Sequence, residues 1–125
     1  QYSLQLFYRL TFIQTIILIT IKRKFYIRRY TMVNMLVKIN ISKGWKTWSE
    51  MAKGLEPKMN EVGSKILWAG CNAEENAVYV LVEMKDPSFI KSFGEREDIV
   101  AIREAAGADV SSTTPLAQIS NYFMG

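Results

Sequence analysis

KILWAGCNAEENAVYVLVE, residues Lys65–Glu83, contains two runs rich in β-branched and aromatic residues, separated by a polar interval, Asn72–Asn76. That pattern predicts a β-hairpin. Side chains alternate between the faces of a strand. Val78, Val80, Val82 and Met84 therefore share one face of the second strand, and Tyr79 and Leu81 share the other. Both faces are largely apolar and both need cover. A segment with helical periodicity lies on each side of the hairpin, enough to cover one face. A second copy of the chain is the expected cover for the other.

Upstream, Met35–Ile41 alternates, with Met35, Val37, Ile39 and Ile41 on one face and Lys38 and Asn40 on the other, which predicts a first strand. Ser42 offers an N-cap. Trp45–Gly63 then reads as a helix whose stripe is Trp48, Ala52, Leu55 and Met59. Gly54 and Pro57 interrupt it and predict a kink or break near Glu56, because proline lacks an amide proton and disfavours helix in the preceding residue. Gly63 closes the helix.

Downstream, Asp86–Pro87 is a helix-start signal. A short helical turn over Ser88–Phe93 precedes a second piece, Glu95–Ala106, with Ile99, Ile102 and Ala106 inward. Gly107 suits the position just past its end. Asp109–Thr114 reads as a polar loop ended by Pro115, and Leu116–Met124 as the last strand. The order is β-α-β-β-α-β. It predicts an α+β, ferredoxin-like domain: a four-stranded antiparallel sheet with helices on one face.

Charge is unevenly placed. Six of the sixteen basic residues and none of the twelve acidic ones fall within residues 1–31, so residues 32–125 are mildly acidic. No basic field is left there to steer nucleic acid. A single cysteine, Cys71, excludes an internal disulfide and a Cys-rich zinc site. Histidine is absent, which removes the commonest metal ligand and general base. There is no P-loop, GxGxxG or metal cluster, so neither cofactor nor metal is expected.

Residues 1–31 differ from the rest. They contain no Gly, Ala, Val, Asp, Glu, Asn, Pro, Trp, Cys or Met, and are built from the types that AT-rich DNA encodes when read through. The leading expectation is an N-terminal extension from translated upstream sequence, with the natural start at Met32 or Met35 and the domain spanning 32–125. A membrane anchor is the alternative, since Leu4–Ile21 is apolar and followed by Lys22–Lys24. Arg9 counts against it, because an arginine costs about 2.5–3.5 kcal/mol at a bilayer centre. No alanine is present to form a signal-peptide cleavage site. An added strand or helix around Thr15–Ile21 is the third reading. The expected location is the cytoplasm.

The order of elements, the doubly apolar hairpin and the length resemble the dimeric α+β barrel superfamily over residues 35–124. Within it, FGEREDIVAIREAAGADVSSTT (Phe93–Thr114) is similar to uncharacterised small proteins of marine cyanobacteria. The resemblance implies a homodimer joined through the sheet, with a cavity between sheet and helices that commonly holds an organic molecule. Members include cofactor-free quinol monooxygenases, haem-degrading enzymes, lactone isomerases and plain binding modules, and fold does not choose among them. The lack of histidine argues against a histidine-ligated haem.

The first expectation is a homodimer binding a small hydrophobic ligand, lipid-like or aromatic. Its candidate site residues are Trp48, Met51, Trp68, Tyr79, Met84, Phe93 and Arg96. Apolar walls with a few polar groups make such pockets, methionines adapt to aliphatic chains, and Arg96 or Arg103 would pair with a ligand carboxylate. Trp48 and Trp68 serve equally well as core, the methionines as gap-fillers, and the arginines as a solvated face beside Glu95 and Glu104. The second expectation is a cofactor-free monooxygenase or isomerase, with Trp68 and Tyr79 positioning substrate and Glu83 as base. The third is a structural or regulatory dimer without ligand. Glu97 and Asp98, adjacent on a helix, do not face each other. Cys71, with no base to activate it, reads as an inert thiol.

Overall fold

The computed structural model describes residues 32–123 and residue 125. The expectations placed on residues 1–31 lie outside them. The elements are β1 (Val33–Ile41), α1 (Gly44–Glu61), β2 (Lys65–Cys71), β3 (Ala77–Met84), α2 (Phe89–Gly94), α3 (Glu97–Ala105) and β4 (Ala108–Gln118). The fold is α+β. Among the described residues the strands form a four-stranded sheet, antiparallel throughout, in the order β2-β3-β1-β4. Among the described residues, no helix is long and apolar enough to cross a membrane.

The hairpin forms as its alternation requires, and Asn72 builds its loop. The Asn72 Oδ1 accepts the backbone N–H groups of Asn76 at 3.0 Å and Ala77 at 3.1 Å. Val78, Val80, Val82 and Met84 enter the core with Met35, Val37, Ile39 and Ile41 of β1. The α1 stripe of Trp48, Ala52, Leu55 and Met59 closes over them. Each Val, Leu, Ile or Met side chain among them contributes roughly 1.5–3 kcal/mol when taken out of water. Leu81, on the opposite face, is also buried, whereas Trp68 is 48% exposed.

Three local expectations are corrected. First, α1 runs unbroken through Pro57. The proline and Lys53, whose carbonyl loses its helical partner, are both exposed, so water satisfies what the ring forfeits. Leu55 and Met59 are buried on either side and hold the helix against the sheet. Second, Ser42 does not cap α1. Its hydroxyl donates to the Gly107 carbonyl at 3.2 Å. The cap comes instead from the hairpin loop, where the Glu75 Oε1 accepts the Trp45 N–H at 3.0 Å. A carboxylate there also suits the positive end of the helix.

Third, the segment expected as the Asp109–Thr114 loop is strand. β4 starts at Ala108 and includes Pro115. It lies at the sheet edge, where a residue without an amide proton is tolerated. Its pairing with β1 shifts register twice, between Leu36 and Val37 and between Lys38 and Asn40. Such irregularities accommodate proline and re-aim side chains. The strand ends at Gln118, so Tyr122 and Phe123 lie beyond it and are exposed.

Helix ends follow their glycines. After α1, Gly63 takes φ +75, its N–H reaches the Asn60 carbonyl, and the Ser64 N–H reaches Met59. Those two bonds form a Schellman motif. Gly107, at φ +87, closes α3, and a Cβ there would sit 2.7 Å from Lys43.

Candidate functional site

A cavity of about 100 Å³ lies between the sheet and the helices. Its floor is Val37, Ile39, Val80, Val82 and Met84 from the two central strands, and α1 supplies Trp48, Met51, Leu55 and Met59. The short α2 contributes Phe89, Ile90 and Phe93, whose two phenyl rings stack with centroids 5.0 Å apart. Met51, Phe89, Ile90 and Gly94 are half-buried and mark the side that meets solvent. The wall is hydrocarbon except at one end, where Arg103 of α3 and Thr113 of β4 complete it.

Arg103 is the unusual member, a charged side chain only 8% exposed. Its Nη1 donates to the Gly94 carbonyl at 2.9 Å and its Nη2 to the Thr113 hydroxyl at 2.6 Å. Burial pulls its pKa below the ordinary arginine value, and the charge of Glu95 partly offsets this. The guanidinium nevertheless stays charged, since arginine deprotonates only far above neutral pH.

Of the candidate residues, Trp48, Met51, Met84 and Phe93 meet at this cavity. Trp68 and Tyr79 do not. They lie on the opposite face of the sheet, where Trp68 pairs with Leu81 and Tyr79 with Gly70 and Lys38. Trp68 lines an open groove there with Leu81, Tyr122 and Phe123. Arg96 is on the surface. Its Nε and Nη2 grip both oxygens of Asp98, at 2.7 and 3.0 Å, and its guanidinium lies 5.2 Å from the centre of the Phe93 ring. It backs the Phe93 wall from outside and does not line the cavity.

The carboxylate considered as a base, Glu83, faces away from the cavity and pairs with Lys65 at 3.6 Å. Cys71 is a free, half-buried thiol on β2, packed against the core. Among the described residues, no group of three or more His, Cys, Asp or Glu could hold a metal ion.

Of the two arginines considered for a ligand carboxylate, Arg103 and not Arg96 lines the cavity. Ile99, Ile102, Arg103 and Ala106 fall at i, i+3, i+4 and i+7, so helical spacing alone puts the arginine on the inward stripe of α3. Thr113 carried no such signal, because its segment reads as a loop. No family model, curated protein or solved structure matches the chain.

Proposed function

We propose that the protein is a homodimeric binding module that takes a small hydrophobic molecule into the cavity between its sheet and helices. The observation that carries this reading is the wall itself: hydrocarbon from six elements around unfilled space, with polar groups confined to one end. Ligand sites are built this way, with a few polar groups fixing orientation. The size narrows the ligand. An apolar cavity of about 150 Å³ accepts benzene, so about 100 Å³ suits one small ring or a short aliphatic chain. A longer, lipid-like ligand would need Met51, Met59 and Met84 to move aside, which their unbranched side chains permit at low cost.

The domain is proposed to be ferredoxin-like, of the dimeric α+β barrel type. Support comes from the strand order β2-β3-β1-β4 and from α1 linking two strands that flank a third. Pairing of two sheets is supported by the exposed Trp68 beside Leu81 and by Leu36 and Tyr79 on the same face.

Methyl NMR on protein labelled at methionine tests the cavity. Titration with benzyl alcohol or 1-pentanol is expected to shift the methyls of Met51 and Met84 well beyond that of Met35, which is buried but does not line the cavity. Ala52→Leu, which pushes a larger side chain into the cavity, is expected to abolish the response. Uniform or absent shifts, together with no hydrophobic compound released on denaturing the purified protein, would overturn the reading.

A further inference from the structure

We propose that the ligand is a small hydrophobic carboxylic acid, with its hydrocarbon in the cavity and its carboxylate on Arg103. The inference rests on the binding reading above and assigns the chemical class of the ligand. A buried charge is costly unless paired. Yet among the described residues the ion pairs are Lys58–Asp98, Lys65–Glu83 and Arg96–Asp98, and Arg103 belongs to none of them. Its only acceptors among those residues are neutral, the Gly94 carbonyl and the Thr113 hydroxyl. A guanidinium has five N–H bonds in a planar fork. Two are used here, which leaves unused donors and a charge that no salt bridge neutralises, only partly offset by the more distant Glu95, at the edge of an apolar space.

The two bonds also aim the group. Gly94 ends α2 and Thr113 lies on β4, so the fork is held from both sides. A Cβ at Gly94 would stand 3.1 Å from Nη1, so the fit is close. A fixed fork suits a planar carboxylate, because paired N–H···O bonds to arginine match its geometry. The rest of the wall has nothing for a second polar group to bond to, which selects a ligand with one charged end and a hydrocarbon body. A neutral analogue of the same shape would fill the space but bring the cation no carboxylate within hydrogen-bond reach.

The test compares two acids, pentanoate and benzoate, with the alcohols 1-pentanol and benzyl alcohol on the full chain. Affinity is read from the methyl shifts of Met51 and Met84, and the side-chain ¹⁵N signals of Arg103 are followed in parallel. The acids are expected to bind at least about tenfold more tightly than the alcohols and to move the Arg103 signals, which the alcohols leave in place. In Arg103→Met the preference is expected to vanish while the alcohols still bind. The wild-type comparison stands by itself if that variant does not fold. Alcohols binding as well as acids, or a preference that survives Arg103→Met, would overturn the acid assignment and leave the cavity reading intact. If neither class binds, both readings fall.

Discussion

Asp98 accepts two hydrogen bonds from Arg96 and a third from Lys58 at 3.4 Å, all on the surface. The Arg96 bonds, more than the neighbouring charges, hold its pKa at about 2, below the ordinary 3.8. A carboxyl lowered in the folded state stabilises above its unfolded pKa, and that contribution is lost as pH falls from about 4 towards 2. An NMR titration should therefore place the Asp98 midpoint near 2, and Arg96→Ala should return it towards 3.8. A midpoint already near 3.8 in the wild type would show that the pairs do not persist in solution. Exposed pairs stabilise little, so unfolding curves of Asp98→Asn should differ from wild type only slightly. Arg103 is the contrasting case. Both arginines sit in the same charged stretch, and only the position of Arg103 on the α3 stripe separates them. That position was legible from spacing. Its acceptors were not, because Gly94 and Thr113 belong to other elements.

Two elements behave against their local chemistry. Helix α1 tolerates Pro57 because its stripe is anchored on both sides of the ring and the stranded carbonyl faces water. Proline in a helix interior costs up to about 3 kcal/mol relative to alanine. Restoring the amide in Pro57→Ala should raise stability by roughly 1–3 kcal/mol, seen as a higher urea midpoint, after allowance for the floppier unfolded chain. An unchanged or lower midpoint would mean that the helix is already strained elsewhere or gains nothing from the bond. The start of α1 depends on Glu75, which itself has φ +53. Glu75→Ala should cost about 0.5–1 kcal/mol through the lost cap. Glu75→Gly should cost less, since glycine relieves the left-handed backbone. Equal losses in the two variants would show that the backbone angle contributes nothing. The strand β4 was hidden by Ser, Thr and Pro, which read as loop. Edge placement and two register shifts make the same residues acceptable as strand.

At the level of the whole molecule, a domain of this size buries only about 60–65% of the surface its unfolded chain exposes and is marginal alone. Pairing of two sheets through the Trp68 face would add the missing burial and couple stability to concentration. The melting temperature should then rise by roughly 3–6 °C for each tenfold increase in protein, and Trp68→Glu should remove the dependence. A concentration-independent melting temperature in the wild type would count against the sheet-to-sheet pair.

What the chain determines locally is its periodicity. The hairpin, the first strand, the α1 stripe and the assignment of Val78, Val80, Val82 and Met84 to one face all follow from side-chain periodicity, which each segment carries within itself. What needed the folded molecule was any property supplied from elsewhere in the chain. Pro57 stays helical because the sheet holds its neighbours. Asp109–Pro115 becomes strand because β1 offers an edge, and Arg103 is buried because acceptors arrive from a helix end and a strand on either side of it. Local propensity is worth tenths of a kcal/mol to a few kcal/mol per residue, and burial against a completed layer outweighs it.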